Sequence, residues 1–451
     1  MLPAVAWGQG IPPTELPPGA GFVWEPVGAG GMEPYALAFA PDGALWAGAG
    51  LRLGRLAPPV GPGGAWDVRN TLQIPDALLV LGSGAAGDTV LITRGITTRR
   101  SVDGGRTFTQ TNDDGGNDAL IEGPGGRLFG GSGTVVRSDD RGATWTEPDA
   151  YPTGANGPVD ALLALPPEPG RAGWLIVAGP RTTGVAVSAD SGRTFVQSSL
   201  WGVHTPSKLA AVARPGGPPG ALRVLAAGRT SGQPYARVWA SDDGGLTWGD
   251  PVLLQDVADP GAIAYERVGG LLPLGGASAL VVLGRGAIHR TDDGGQTWAV
   301  VGRVPIDGTT PEEIAATSAL SAVVGPDGRV YVGQVRAGCC YSPYVYRTAD
   351  PLTVASEGSP APAGSGLTLR AEPNPSAGAV ALLLTLPTAE AQVRVTVYDS
   401  LGREVAVAHE GPLGAGAHRL GLDTGGLAPG VYVARVTAGG AAATARLTLA
   451  R

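Results

Sequence analysis

The sequence predicts an all-β chain in two parts, a closed array of seven four-stranded units followed by a small β-sandwich. Three observations lead there. Short apolar runs of Val, Leu and Ala alternate with turns along nearly the whole chain. An eight-residue motif returns at intervals close to 50 residues, and the chain changes character after a Pro/Gly/Ser-rich stretch at 355–366. Gly 74 and Pro 40 would suit a disordered chain, but 43% hydrophobic content supports many short strands joined by tight turns.

The motif reads Ser/Thr-x-Asp-x-Gly-x-Thr-Trp/Phe. It occurs as SVDGGRTF at 101, SDDRGATW at 138, SADSGRTF at 188, SDDGGLTW at 241 and TDDGGQTW at 291. A period of this size calls for a solenoid or propeller before other folds. Two or three short apolar runs precede each copy and another follows, so each unit holds about four strands, the content of one propeller blade. Units without the full motif extend the array, with ALAFAPDGALWAGAG at 36–50 and ALSAVVGPDGRVYVGQV at 319–335. The units span 36–70, 78–112, 119–150, 159–200, 208–255, 266–302 and 317–356, giving a seven-bladed β-propeller. The stretch FVWEPVG at 22–28 is similar to the strand that follows a motif, and is expected to supply the outer strand of the last blade.

These turns resemble the Asp-box, the bacterial neuraminidase repeat of sialidases, sortilin-type receptors, some glycoside hydrolases and photosystem assembly factors. The resemblance covers residues 22–354 and implies a turn between the third and fourth strands of a blade, away from the binding face. Local chemistry agrees with a bracket: Asp accepts from backbone N–H groups of its own turn, Gly allows positive φ, and the aromatic packs between sheets. Asp103, Asp140, Asp190, Asp243 and Asp293 are therefore read as structural, neither catalytic nor metal-binding. No metal and no cofactor are expected, because His289, His409 and His418 are too scattered for a ligand set.

Residues 367–451 show alternating strands, VRVTVYDSLGREVAV and GVYVARVTAGG, as an immunoglobulin-like β-sandwich would. EPNPSAG at 372, VYDSLGREV at 397, LGAGAH at 413, GLAPGVYVARV at 426 and the ending ARLTLAR resemble the type A C-terminal sorting domain of the type IX secretion system. The resemblance implies export through the periplasm and outer membrane, with the type IX machinery as partner and release or surface attachment after removal of the tail. Residues 1–21, opening MLPAVAWGQG, are expected to be the remnant of a truncated secretory signal peptide.

Charge narrows the ligand. A net charge of −7 gives no reason to expect nucleic-acid binding, and no run of 18 apolar residues spans a membrane as a helix. Cys339 and Cys340, the only cysteines, are adjacent and do not assign a redox compartment. They are either two buried thiols or part of a rigid contact patch with Tyr341, Tyr344 and Tyr346.

If the motif turns mark one face, the opposite face carries the loops after each second strand. Five units place an arginine there: Arg94, Arg181, Arg229, Arg285 and Arg336. A ring of guanidinium forks suits carboxylate or phosphate, although 31 arginines must also be accommodated somewhere. Trp201, beside His204, is a candidate for sugar stacking. The leading expectation is a non-catalytic module binding an anionic extracellular glycan or a surface protein. The alternative is a sialidase-like or other exo-acting glycoside hydrolase, with Tyr265, Glu266, Glu312 and Glu313 as the weak catalytic candidates. Against a sialidase stand the absent Arg-Ile-Pro segment and a count of seven units rather than six.

Overall fold

The computed structural model describes residues 22–352 and 368–449, except 29–31, 33, 72, 85–86, 95–96, 113–118, 124–125, 133, 153–158, 167–172, 181–183, 201, 203, 219, 232, 234, 255–266, 285, 305–316, 337–344, 373–375, 377–379, 387, 399–403, 426, 428–429 and 439–440. Two compact units divide the chain, Met1–Pro351 and Leu352–Arg451. No α-helix occurs among the described residues.

In the first unit the described strands form seven small antiparallel sheets. Their first strands, in chain order, are Ala36–Phe39, Ala77–Gly84, Leu120–Glu122, Val159–Leu165, His204–Ala213, Val268–Gly275 and Thr317–Val324. Each first strand packs beside the first strand of the next sheet, and that of the seventh packs on that of the first. The sheets are therefore blades of a β-propeller with their first strands innermost. Burial follows this placement: the second strands Leu45–Ala49, Leu175–Pro180 and Ser278–Leu283 are buried along their whole length, whereas the outer Val196–Gln197 is exposed.

Separate apolar cores fill the spaces between neighbouring blades. Trp46 and Leu53 of the first blade meet Val80, Val90 and Ile92 of the second. Leu175 and Val177 of the fourth meet Val224, Ala226 and Trp239 of the fifth. Motif aromatics join these same cores, each against the preceding blade: Phe108 in the first example, Trp248 in the second, and Trp298 between the fifth and sixth blades. The chain's few aromatic residues are thus placed where two sheets must be held together.

The motif turn is a closed hydrogen-bond unit between the third and fourth strands. In the fifth blade Ser241 Oγ donates to Asp243 Oδ1 at 2.8 Å and accepts from Gly245 N at 2.8 Å. Asp243 also accepts from Leu246 N, Thr247 N and Thr247 Oγ1 at 3.1, 2.9 and 2.5 Å. Asp103, Asp140, Asp190 and Asp293 each accept the corresponding bonds from the Thr four residues on. Both motif glycines of a GG pair take positive φ, and the second packs on the preceding blade. Gly295, at φ +86°, has no room for a side chain, since a Cβ there would lie 2.8 Å from Leu225 Cδ2.

The third blade departs from the four-strand expectation. Among the described residues its sheet holds three strands, and Thr146 alone bridges Arg137 where a fourth would run. Pro148 cannot donate a ladder bond, and the chain turns to the fourth blade's motif turn instead: Asp149 N donates to Arg193 O and Phe195 N to Ala150 O.

Closure of the ring uses both ends of the propeller sequence. Trp24–Val27 pairs antiparallel with Val345–Thr348 as the outer strand of the seventh blade. Arg347, in that neighbouring strand, donates to Glu25 Oε2 at 2.8 Å and to Val60 O of the first blade. On the inner side Gly333 meets Pro34, where a Cβ would come within 2.6 Å of the proline ring.

The second unit has two antiparallel sheets. One joins Thr368–Glu372, Val380–Leu386 and Gly416–Leu422, and the other Glu404–Leu413, Glu390–Tyr398, Gly430–Ala438 and Ala441–Leu449. Alternate residues of both face one core, with Leu382, Leu384, Val395, Val397, Ala434, Val436 and Leu447 buried.

Two outcomes follow from these contacts. Removal of residues 22–28 lowers the unfolding free energy by more than about 3 kcal/mol, from the lost strand pairing and the re-exposure of Val27; an unchanged denaturant midpoint contradicts the closure. Asp243→Ala costs about 1–3 kcal/mol by stranding turn donors, read by chemical denaturation. The motif carboxylates also set an acid limit. Hydrogen bonds from Thr144 and Ser138 hold Asp140 down to about 2 against partial burial. A carboxylate depressed on folding contributes stability above its ordinary range and loses it as pH falls. Denaturation between about pH 4 and 2 in the wild type should be shallower in Asp140→Asn.

Candidate functional site

Antiparallel hairpins alternate ends, so the end of each second strand lies opposite the motif turns. This face also receives the beginnings of the first strands. Arg94 closes the second strand of the second blade, Gly87–Arg94, and is exposed. Arg229 is the penultimate residue of Leu222–Thr230 in the fifth blade and is half-buried. Arg336 ends Val330–Arg336 in the seventh; its side chain, with all of Arg181 and Arg285, lies outside the described residues. So do Trp201, Tyr341, Tyr344, Cys339, Cys340 and the four catalytic candidates Tyr265, Glu266, Glu312 and Glu313.

The described part of this face holds a charged group that the sequence reading missed. Asp160, the second residue of Val159–Leu165, sits where the register of the fourth blade slips between Val159 and Ala161. In the fifth blade the register slips equivalently between Pro206 and Lys208. Such bulges insert an unpaired residue and re-aim side chains next to it. Across the two blades Asp160 lies within electrostatic reach of Lys208 and of Arg229.

Burial dominates the chemistry of this group. It pushes the Asp160 carboxyl up to about 6, against the opposing pull of Lys208 and Arg229. It drives the Lys208 ammonium down from its ordinary value, with Asp160 restoring part of the loss. His204, at the start of the strand that carries Lys208, is held low by burial and then by Arg237; its Nδ1 pairs with Thr230 Oγ1 at 3.1 Å and its ring meets Trp239 edge-on. Arg229 is tied to this strand pair through its carbonyl, which accepts from Thr205 Oγ1 at 3.2 Å.

The arrangement can hold an anion or exchange a proton near neutral pH. Among the described residues no cluster of three or more His, Cys, Asp or Glu is spaced to hold a metal ion, and no helix is long and apolar enough to cross a membrane. A sequence signal for Lys208 did exist: it is the one lysine beside 31 arginines. Asp160 carried none, because its meaning depends on a neighbour 48 residues away in sequence.

No curated protein sequence matches the chain. Among solved structures it is similar to the extracellular domain of a hybrid two component system from B. thetaiotaomicron, with 10% identity, a TM-score of 0.45 and coverage of 95% of this chain and 57% of that one. It is similar to PorZ of Porphyromonas gingivalis, a surface component of the type-IX secretion system, at 14% identity and TM-score 0.46, covering 94% and 60%. It is also similar to YCF48 from Cyanidioschyzon merolae at 11% identity and TM-score 0.47, covering 72% and 98%. The chain thus spans less than two thirds of the length of the first two. Residues 372–450 match the secretion system C-terminal sorting domain family, and this tail indicates export by the type IX route to the cell surface or the medium.

Proposed function

We propose that the protein is a non-catalytic binding module of the cell exterior: a closed seven-bladed propeller of Asp-box repeats, delivered by an immunoglobulin-like sorting domain that is removed after export. The observation that carries the reading is the sorting tail at 372–450, which fixes where the propeller works. The domain limits we assign are 22–354 for the propeller, 355–366 for the linker and 367–451 for the tail. The ligand assigned is an anionic glycan or an acidic surface protein, engaged on the face opposite the motif turns. Support comes from the two described arginines of that face, Arg94 and Arg229. Guanidinium groups present a donor fork matched to carboxylates. The carboxylates named for the hydrolase alternative, Glu266, Glu312 and Glu313, lie outside the described residues.

Export and binding have separate tests. In a host with the type IX system, the propeller should reach the surface or medium without residues 367–451, and deletion of those residues should leave it in the periplasm; unchanged export after deletion rejects the route. Purified protein on an array of neutral, carboxylated and sulfated glycans should prefer the acidic members, with binding that weakens as salt rises, since partly exposed charges are screened beyond about 8 Å at physiological ionic strength. Turnover of chromogenic glycosides without such binding supports the hydrolase instead.

A further inference from the structure

We propose that Tyr235, Arg237 and His204 form a subsite for a carboxylated sugar on the side of the fifth blade that faces the fourth. The inference deepens the binding-module reading and rests on it for its biological setting.

Contacts and register place the three side chains on one surface. Tyr235, Arg237 and Trp239 alternate along the third strand of the blade and its start, so they share a face. Trp239 packs into the core with the fourth blade, whereas Ala236 and Val238 turn to the core with the sixth. His204 opens the first strand opposite Thr230 of the second. Its Nδ1 pairs with Thr230 Oγ1 at 3.1 Å, and its ring meets that of Trp239 at 5.3 Å. The surface therefore runs across three adjacent strands at the end of the blade opposite the motif turn. First and third strands of a sheet lie about 10 Å apart, enough to seat one pyranose ring.

Each member has something left to offer. Tyr235 is 41% exposed and is the most exposed aromatic residue among those described; the other aromatics are spent inside and between blades. Leu253, opposite Arg237 on the outer strand and 40% exposed, adjoins it with further apolar surface. Half-buried Arg237 makes one side-chain bond, from Nη1 to the carbonyl of Tyr235 at the long distance of 3.5 Å, and pairs with no carboxylate among the described residues. A half-buried cation without a counter-charge favours an incoming anion, and its planar fork of donors matches a carboxylate. His204 is held neutral by burial and then by Arg237, so with Nδ1 engaged it presents an uncharged Nε2. A sugar hydroxyl, which both donates and accepts, suits either tautomer of that ring.

A sugar fits this surface better than an extended peptide. Peptides added to a sheet gain affinity from free main-chain groups, but residues 236–238 are already paired on both sides, with 252–254 outside and the second strand inside. What remains is an aromatic platform with a cation and an imidazole beside it. A pyranose acid has the complementary form, with an apolar C–H face, hydroxyls at the rim and one carboxylate.

The test uses the full chain labelled with ¹³C-histidine, which holds four histidines, and His204→Gln assigns the signal of interest. Methyl β-D-glucuronide, methyl β-D-glucoside and propionate are each titrated to about 50 mM, a range that covers millimolar affinities. The His204 signal should move saturably with the glucuronide, with affinity about tenfold above those of the glucoside and of propionate, as a charged hydrogen bond and an aromatic contact would each supply. Arg237→Gln should lower the glucuronide to the level of the glucoside. Tyr235→Ala should weaken both sugars about tenfold, and Tyr235→Phe should restore them. A silent His204, propionate binding as tightly as the glucuronide, or affinities unaltered by both Arg237→Gln and Tyr235→Ala in protein that melts like wild type would each overturn the proposal. The comparison of the three probes needs no variant, so it stands even if a substitution disturbs folding. An acidic glycan bound on the array with His204 silent defeats this subsite and leaves the module reading intact. A glucuronide response that follows Tyr235 and Arg237, with no ligand on the array, upholds the subsite and counts against the module.

Discussion

Everything in the propeller depends on how one blade is fastened to the one before it. A four-stranded sheet buries neither face alone, and each motif turn carries its aromatic onto the preceding blade while its own atoms are satisfied internally. The carboxylate of Asp243 takes up donors that would otherwise be stranded by a tight turn, which frees Gly245 to lie against Val177. Leaving such donors buried and unmade costs more than making the bonds gains. The acidic residue is therefore a condition for the apolar contact, and the two halves of the motif act as one device.

A chain of pairwise fastenings has two loose ends, and here they meet. The seventh blade borrows its outer strand from residues 24–27, and Arg347 binds both that strand and the first blade. Closure places contacts more than 300 residues apart in sequence at one seam. The same closure points the first strands inward, and so decides which side chains can gather at the centre. Asp160 and Lys208 belong to different blades, Asp160 at the register slip of one inner strand and Lys208 just after the slip of the next. The site is a consequence of the ring, and no single blade contains it.

Much of this architecture could be read from the sequence because it is local and repeated. Turn chemistry at Asp103, Asp190 or Asp293 is decided within eight residues, and repetition at a blade-sized period turns a local pattern into a fold. The outer strand at 24–27 was legible for the same reason, through its likeness to the strand after a motif. The third blade's missing fourth strand was harder, since it follows from Pro148 and a preference for bonding to Arg193 across the blade boundary. Least legible was the charged group. Arginines at strand ends drew attention by type and Lys208 stands out as the one lysine, but the pairing of Lys208 with Asp160 and the burial of both leave no mark in the chain. Sequence position alone ranked Arg94 and Arg229 as equals, whereas one is exposed and the other half-buried beside a carboxylate.

The central claim is that ligand meets the face opposite the motif turns. Hydrogen exchange of the intact protein with and without a polyuronate tests it most directly, because exchange reports protection segment by segment. The account predicts added protection around Asp160, around Lys208 and at the strand ends near Arg94 and Arg229, with the turns at 103–107, 140–144, 190–194, 243–247 and 293–297 unchanged. Protection confined to those turns, or spread evenly over both faces, would contradict it.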